Sequence, residues 1–329
     1  MMRVAIRGGG MAAAGCAHLL RRAGIEASRA NVPRAAVPAV MLSDAALALL
    51  RDVFDRPLLF TDRMRIVRRV VTWGSGVAQV MPHGATLLSE ADIWSELDEA
   101  GGDDRAEADF TIHSSGVDGE VRTFGDRHAV AIPVRLRDPR SLKECRIEAV
   151  KSGWLFLAPG VGGHGTLLAI GGACDELLSR SRSVAPLVEV VGPASRPLPV
   201  GPRIASALTG ADWLRCGSAA VGFDPICGDG AAQSVREAIL ATAVVSAIAK
   251  GAEPEPLLLH FRSMLIAAMR RHLMLCLQFY RSGGKGDWWQ AQCHALAEGH
   301  VWCTRRLAVL PEPQFELHGF DLVARRAAA

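Results

Sequence analysis

The N-terminus constrains the fold of this chain more than any other stretch. Residues 3–7 are an apolar segment typical of a buried strand, and residues 8–13, Gly-Gly-Gly-Met-Ala-Ala, form a glycine-rich turn. The alanine-rich residues 14–23 predict a helix that ends at Gly24. A strand, a glycine turn and a helix in this order are typical of the first β-α unit of a dinucleotide-binding fold.

Each small residue of the turn has an expected role in such a unit. Gly8 permits the tight turn, Gly10 lets the backbone approach a pyrophosphate, and Ala13 allows the helix and the strand to pack closely. A glycine-rich turn without a ligand is the alternative interpretation. The position of the turn, between a strand and a helix at the start of the chain, favours the nucleotide-binding one.

Residues 25–30 predict the second strand, whose end normally carries an acidic residue that binds the ribose hydroxyls. Asn31 occupies that position; it can donate and accept hydrogen bonds but lacks the charge that strengthens the contact. Arg34 is a candidate phosphate or flavin-edge contact, and a solvated surface arginine is its alternative.

A second strand–loop–helix stretch lies near residues 213–240. Residues 213–216 are apolar, residues 223–230 are rich in Pro and Gly, and apolar residues at Val235, Ala238 and Ile239 recur at helical spacing. Such a loop directs backbone N–H groups and the positive end of a helix dipole at one point. We therefore expect an electron-rich group at this loop.

Composition excludes several classes of protein. With 37 basic and 34 acidic residues the net charge is +3, too balanced to suggest nucleic-acid binding. The eight cysteines include no Cys-x-x-Cys pair, and no cleavable leader precedes the first predicted strand, so we expect a cytoplasmic protein with reduced thiols. Residues 238–249 are apolar but too short for a membrane span, and no membrane contact is expected.

Strand patterns dominate the middle of the chain. Residues 65–73 and 77–81 predict a hairpin, and residues 108–116 predict a strand that returns to the nucleotide-binding sheet. Four further segments, residues 129–136, 145–150, 153–159 and 166–171, predict an antiparallel sheet that covers a ligand. Helices are expected at residues 42–54 and 89–97, over residues 175–191, and over most of residues 254–309.

The order of these motifs resembles the superfamily of FAD-dependent monooxygenases, tryptophan halogenases and geranylgeranyl reductases. The resemblance rests on Gly8-x-Gly-x-x-Ala13, Ala108-Asp-Phe-Thr-Ile-His-Ser-Ser-Gly116, Gly153-Trp-Leu-Phe-Leu-x-Pro159 and Phe223-Asp-Pro-Ile-Cys-Gly-Asp-Gly230. Within the superfamily, residues 213–220, 227–230 and 279–289 are most similar to the flavoprotein monooxygenases of tryptophylquinone cofactor biogenesis.

The resemblance implies an α/β fold with a Rossmann-like FAD-binding domain of the glutathione-reductase type, an antiparallel β-sheet substrate domain and a helical C-terminal region. The expected FAD-binding domain comprises residues 1–64, 85–120 and 195–252, the substrate domain residues 65–84 and 121–194, and the C-terminal region residues 253–329. The expected cofactor-binding residues are Gly8, Gly10, Met11, Ala13, Asn31, Arg34, Ser218, Asp224, Pro225, Gly228 and Gly230.

In this resemblance Asp224 and Pro225 line the flavin, and the amides near Gly228 and Gly230 face its N1 and C2 carbonyl. Ser218 stands where the family has an Asp that contacts the ribityl chain. The implied reaction is hydroxylation of an aromatic indole group. In its most specific version, the substrate is a Trp side chain of a partner protein. It would use FAD, molecular oxygen and an external electron donor or reductase.

Departures from the family pattern leave alternatives open. The Trp-x-Trp-x-Ile-Pro motif and the catalytic lysine of halogenases are not visible, so halogenation is disfavoured. Asn31, Ser218 and the short segment of residues 100–108 depart from the pattern of tight FAD binders. A reductase of the geranylgeranyl type and a weakly flavin-binding maturation scaffold are the alternatives.

Candidate bases for the reaction are His113, His128, His164 and Asp229, of which His113 and Asp229 are the expected catalytic residues. A structural histidine is the alternative for each imidazole. The Cys293-His294 and His300-x-x-Cys303 pairs do not match a zinc-site spacing, so no metal is expected. Cys216 and Cys227 are expected to be small buried hydrophobes. Trp288 and Trp289 are expected to be core residues, with an aromatic wall or a partner-binding patch as the alternatives.

Overall fold

A computed structural model describes residues 2–32, 37, 39–74, 76–97, 108–116 and 119–325 of the chain. Its helices are α1 (Met11–Arg22), α2 (Asp44–Val53), α3 (Glu90–Leu97), α4 (Cys174–Arg180), α5 (Gly230–Ala249), α6 (Pro254–Gly283) and α7 (Asp287–Ala308). Its strands are β1 (Arg3–Arg7), β2 (Glu26–Ala30), β3 (Val40–Ser43), β4 (Arg65–Thr72), β5 (Ala78–Leu88), β6 (Phe110–His113), β7 (Val121–Thr123), β8 (His128–Leu136), β9 (Glu144–Val150), β10 (Gly153–Pro159), β11 (His164–Gly171), β12 (Val188–Val190), β13 (Leu198–Pro199), β14 (Arg203–Ala205), β15 (Trp213–Arg215), β16 (Val221–Gly222), β17 (Phe315–His318) and β18 (Asp321–Ala324).

A parallel four-stranded sheet carries the glycine turns at Gly8 and Gly217, which follow β1 and β15. Its strand order is β15-β6-β1-β2, and all three pairings are parallel. Val4 and Ile6 of β1 are buried in the main core, which explains the apolar pattern of the first strand. Because the strands are parallel, their carboxyl ends at Arg7, Ala30, His113 and Arg215 meet at one edge of the sheet.

A nine-stranded sheet forms the second layer, in the order β12-β8-β11-β10-β9-β4-β5-β3, with β13 also paired to β8. The pairings among β8, β11, β10 and β9 are antiparallel, as the sequence predicts. The expectation of a purely antiparallel sheet is wrong at one place, because β4 and β9 are parallel, with Val70 opposite Arg146. These strands lie far apart in sequence, so no hairpin turn forces them to be antiparallel.

Several predicted boundaries are also wrong. The helix expected from residue 42 begins at Asp44, because Ser43 caps it through a 3.2 Å hydrogen bond from the Ala46 N–H to its Oγ. Residues 40–43 form β3 instead, which pairs with the end of β5 at Leu88. Strand β5 continues to Leu88 rather than ending at residue 81. The expected domain divisions at residues 64 and 84 therefore cut through one sheet.

Helical structure is less extensive in two other places than the sequence predicts. Over residues 175–191 the structure has α4, a short 3₁₀ turn and strand β12, which pairs with β8. The C-terminal region contains α6 and α7 as expected, and then the hairpin β17–β18. Strand β12 is short and pairs with a strand far away in sequence, and β17 and β18 form a short exposed hairpin. Segments this short give little hydrophobic periodicity from which a strand could be predicted.

Helix α5 is the central helix of the protein. Within the described residues it is the helix long and apolar enough to cross a membrane, and 67% of the relevant window is buried. Burial of this extent favours a core helix. A Cβ atom on Gly15 of α1 would lie 3.0 Å from the Cβ of Ala238, so the two helices pack closely there.

Aromatic side chains pack helices α6 and α7 against the large sheet and form hydrogen bonds to it. Trp289 is 1% exposed, and its indole N–H donates to the carbonyl of Val150 at 3.0 Å. The indole N–H of Trp154 donates to the hydroxyl of Tyr280 at 3.1 Å. Trp289 is therefore a core residue, one of the three roles that the sequence left open for it.

Candidate functional site

The first glycine turn joins β1 to α1 at the carboxyl edge of the parallel sheet. Gly8 and Gly10 have φ angles of 130° and 94°, which favour glycine. A Cβ atom on Gly8 would lie 2.5 Å from the backbone nitrogen of Ser115, so no side chain fits there. No side chain of the described residues caps α1. The backbone N–H groups from Met11 to Ala13 thus form a helix N-terminus suited to an anion.

The turns at Gly8 and Gly217 meet at Ser114 and Ser115, which follow β6. The Gly9 N–H donates to the Ser115 hydroxyl at 2.9 Å. Gly217, with a φ of 55°, lies so close that a Cβ atom there would be 2.9 Å from the Ser114 carbonyl oxygen. The Ser218 hydroxyl is 3.5 Å from that same carbonyl oxygen. The structure therefore brings the predicted Gly8 and Ser218 regions together.

Asn31 lies at the end of β2, beside the first turn. Its side chain is exposed, and its Oδ1 accepts a 3.3 Å hydrogen bond from Arg29. A Cβ atom on Gly9 would lie 3.9 Å from that oxygen. Asn31 is thus positioned next to the glycine turn, as a ribose contact would be. Arg34, the other predicted contact in this region, lies outside the described residues.

The loop before α5, residues 223–230, is anchored by a buried ion pair. The Nε of Arg127 donates to Oδ2 of Asp224 at 2.8 Å, and both side chains are fully buried. The Tyr280 hydroxyl donates to the same oxygen at 3.0 Å, and the Ile226 N–H donates to Oδ1 at 3.0 Å. Arg127 also donates to Gln292 at 2.6 Å. The Asp224 carboxylate therefore points into the core, and a flavin here would meet the loop backbone.

The end of this loop is open. Gly228 is left-handed with a φ of 64°, and Cβ atoms placed on Gly228 or Gly230 would meet no described atom within 4 Å. Among the described side chains none caps α5, and its first turn holds no acidic residue. Asp229 is exposed and forms a 2.7 Å ion pair with Arg236. The N-terminus of α5 is thus a second helix start suited to a negatively charged group.

Glu237 connects α5 to the turn at Gly217. The Gly217 N–H donates to Oε2 of Glu237 at 2.7 Å, and the carboxyl group is buried. Burial raises the pKa of Glu237 to about 8. The side chain is therefore largely protonated at neutral pH.

The two predicted catalytic residues lie in different surroundings. His113 is the last residue of β6, in register with Arg7 and Arg215, and its ring meets Trp213 edge-on at 5.9 Å. Asp229 lies at the start of α5, where its carboxylate is already paired with Arg236. His113 is the partly buried member of the two.

A thiol cluster lies behind the residues 223–230 loop, which we call the flavin loop after the resemblance that predicts it. The Sγ of Cys227 is 3.7 Å from the Sγ of Cys276, which is 3.3 Å from Nε2 of His272. The hydrogen bond from Cys276 lowers the pKa of Cys227 to about 6, against the opposing effect of burial. Burial raises the pKa of Cys276. Cys227 packs against the main core as expected, but it is only partly buried and lies beside a second thiol.

The cysteine and histidine pairs weighed as zinc ligands have other surroundings. His294 is exposed and lies 3.4 Å from Glu298. Cys303 is buried, and burial raises its pKa to about 12. Among the described residues, ligand atoms close enough to share a metal come instead from Cys227, His272 and Cys276.

Sequence reasoning missed the residues that anchor the site from a distance, namely Arg127, Glu237, His272, Cys276 and Tyr280. His272 and Cys276 are spaced by one helical turn, which places them on one face of α6. Tyr280 is the one tyrosine of the chain and lies in a motif that the sequence singles out. Arg127, in a turn between charged and polar neighbours, has no such signal.

Comparison with known structures places this fold among flavoproteins. No protein-family model matches the sequence, and no curated protein shows significant sequence similarity. The flavin-dependent halogenase CmlS matches at a TM-score of 0.75 and 15% identity, over 91% of this chain and 70% of its own. The peptidyl tryptophan dihydroxylase QhpG, essential for tryptophylquinone cofactor biogenesis, matches at 0.68 and 20% identity, over 88% and 78%. A salicylate hydroxylase matches at 0.64 and 16%, over 94% and 98%.

The chain has the fold of flavin-dependent halogenases and hydroxylases. This confirms at the level of fold the resemblance that the glycine turns and the residues 223–230 motif predict.

Proposed function

We propose that this protein is an FAD-dependent monooxygenase that hydroxylates an aromatic, indole-type group. One observation carries the proposal. Two helix N-termini, those of α1 and α5, follow glycine-rich turns, and no described side chain caps either. Helix α1 comes directly after β1 of the parallel sheet, and α5 comes after the residues 223–230 loop that follows β16. An FAD molecule has two features that suit them, a diphosphate and a ring whose reduced form is negatively charged.

The residues present fit such a cofactor. The N-terminus of α1, with Gly8, Gly10, Met11 and Ala13, would hold the diphosphate. Asn31 would contact the ribose next to the first turn. Arg34, which lies outside the described residues, would contact a phosphate or the flavin edge. When bound, FAD supplies the oxygen-activating chemistry, with electrons from an external donor.

The flavin ring would lie against the second turn. The open backbone face of Gly228 and Gly230 suits the pyrimidine edge of the ring, and the α5 dipole would stabilise negative charge there. Asp224 and Pro225 would contribute backbone contacts, because the Asp224 carboxylate is held by Arg127. Ser218 would hydrogen-bond the ribityl chain from beside Ser114.

His113 and Asp229 are the proposed acid–base residues. His113 lies at the sheet edge between the Gly8 turn and the Gly217 turn, where it could accept a proton from an indole or phenol. Asp229 would need to leave its ion pair with Arg236 to act as a base. His113 is therefore the stronger of the two proposals.

The proposed substrate is a Trp side chain of a partner protein, converted in the cytoplasm with molecular oxygen and an external reductase. Support comes from the similarity to QhpG and from the residues 279–289 motif. Within that motif Phe279 is 44% exposed on α6, so part of it faces outward. The similarity to halogenases concerns the fold, and the halogenase motifs are not visible in the sequence.

The test is a titration followed by a mass measurement. We expect the purified protein to quench flavin fluorescence on titration with FAD. With a reductant, it should then add oxygen atoms from heavy-isotope oxygen gas to a Trp-containing protein or peptide. A protein that never binds FAD would contradict the enzyme proposal. FAD binding with reduction of a substrate double bond, and no oxygen incorporation, would favour the reductase alternative.

A further inference from the structure

Two pairs of thiols lie close together in this protein, and they differ in access. Cys227 and Cys276 have Sγ atoms 3.7 Å apart, where the flavin loop meets α6. Cys16 and Cys216 have Sγ atoms 3.9 Å apart, between α1 and the Gly217 turn. Both members of the second pair are fully buried, whereas Cys227 is only partly buried. The two pairs therefore have similar spacing but unequal exposure to a small reagent.

A cavity leads to the accessible pair. It has a volume of about 200 Å³ and lies between the flavin loop, α5 and α6. Cys227 and His272 both line it. Cys276 is buried behind them, so a reagent in the cavity meets Cys227 first.

A metal does not fit the trio of Cys227, His272 and Cys276 as it is arranged. Nε2 of His272 accepts the backbone N–H of Asp224 at 2.8 Å. A neutral imidazole nitrogen that accepts has a single lone pair, and that lone pair is already engaged. The remaining chemistry is that of two thiols in contact.

We propose that Cys227 and Cys276 form a peroxide-sensitive thiol pair, in which Cys227 attacks and Cys276 resolves. The Cys227 thiolate attacks one oxygen of hydrogen peroxide and becomes a sulfenic acid, and the O–O bond breaks to release hydroxide. The Cys276 thiol then attacks the sulfenic sulfur, an S–S bond forms, and water leaves. Peroxide is reduced by two electrons, both thiols are oxidised, and the proton lost by Cys227 converts the hydroxide to a second water.

Charges around Cys227 support its role as the attacking thiol. The hydrogen bond from Cys276 lowers the pKa of Cys227, and burial and the Asp224 carboxylate oppose it. The other charged groups that line the cavity are Asp229, Arg236 and Arg271. Burial raises the pKa of Cys174 and of Cys293, which are partly buried as Cys227 is. At neutral pH Cys227 is therefore the thiol with the most thiolate character among these three.

The disulfide would also act on the flavin loop. An S–S bond of about 2.05 Å requires the two sulfurs to approach from their present contact. Cys227 directly precedes Gly228, so this movement would pull the open end of the loop towards α6. Weaker FAD binding in the oxidised protein is the expected consequence, and this part rests on the proposed function.

The experiment is a graded hydrogen peroxide treatment of the full-length protein, read by peptide mass spectrometry. We expect loss of two free thiols, a disulfide that joins the peptides of Cys227 and Cys276, and recovery with dithiothreitol. Cys227 should react about tenfold faster at pH 7 than Cys174 and Cys293. Its rate should level off above pH 6 to 7, whereas theirs should still rise at pH 8.

Variants separate the two roles. Cys276→Ser should leave a Cys227 sulfenic acid that a dimedone reagent traps, and Cys227→Ser should abolish the reaction of this pair. Cys16 and Cys216 are the internal control and should stay reduced. Equal reactivity of Cys227, Cys174 and Cys293 would overturn the proposal, as would stoichiometric zinc that protects both thiols. The disulfide can form in a protein that never binds FAD, so failure of the proposed function would be seen separately.

Discussion

The two glycine turns of this protein, at Gly8 and over residues 223–230, are held in opposite ways. The first, at Gly8, is crowded by backbone, since a Cβ atom would lie 2.5 Å from the nitrogen of Ser115. The second ends at Gly228 and Gly230, where a Cβ atom would meet nothing within 4 Å. Its position depends on the distant Arg127–Asp224 pair, whose residues are 97 positions apart. The first turn is thus set by local packing and the second by long-range polar contacts.

This difference suggests that the two turns bind different parts of a cofactor. A crowded turn presents a fixed set of N–H groups, as a diphosphate site requires. An open turn leaves its backbone accessible to a flat ring, and the buried network keeps the loop in place without filling that space. Tests that disturb each support separately can break or sharpen this comparison.

The largest effect is expected from the buried ion pair. Asp224→Asn leaves the Arg127 charge buried without its partner, which should lower the free energy of unfolding by about 3–5 kcal/mol. The matched control is Asp229→Asn, which removes an exposed pair with Arg236 and should cost about 1 kcal/mol or less. Chemical denaturation of both variants measures the contrast. Equal losses would show that the second turn does not depend on the buried network.

The next effect concerns the glycines themselves. Gly8→Ala combines a positive φ with a backbone clash and should cost about 3 kcal/mol or more. Gly228→Ala meets a positive φ in open space and should cost about 1–2 kcal/mol. Thermal unfolding of the two proteins ranks them. A reversed order would contradict the distinction between a crowded turn and an open one.

A smaller effect is expected from Glu237, which ties α5 to Gly217. Its pKa of about 8 lies above that of an unfolded glutamate, so the folded state holds the proton more tightly. The stabilisation from this protonated side chain is fully present below pH 4.5 and is lost as the pH rises through 8. Glu237→Gln keeps an acceptor for the Gly217 N–H and should flatten this part of the stability profile. A wild-type profile that does not fall between pH 5 and 8 would contradict the assignment.

The first turn was predictable from the sequence because its determinants are local. The apolar strand at residues 3–7 and the adjacent glycines specify it within a dozen positions. Helices α6 and α7 were predictable for the same reason, since their apolar periodicity is long. Near the second turn, the loop and the start of α5 were predicted, but the supports of the loop were not.

What the sequence could not predict depends on long-range pairing. The apolar residues of β3 run directly into α2, so their pattern resembles a helix until β5 is known to pair with them. The parallel pairing of β4 with β9 has no local cause. Arg127 is charged and lies in a turn, so the residues next to it in sequence do not predict that it is completely buried beside Asp224. Burial of a charge is decided by its partner, which is distant in sequence.

The most direct test of the account is FAD binding to Gly230→Asp beside Gly230→Asn. The aspartate places negative charge at the open N-terminus of α5, so it should weaken binding of reduced FAD about tenfold and lower its reduction potential by about 30 mV. The asparagine, of similar size, should bind FAD like the wild type. The apoprotein of the aspartate variant should be no less stable, because an acidic residue favours a helix N-terminus. Equal FAD affinity and potential in all three proteins, or no FAD binding by any of them, would contradict a flavin at this turn.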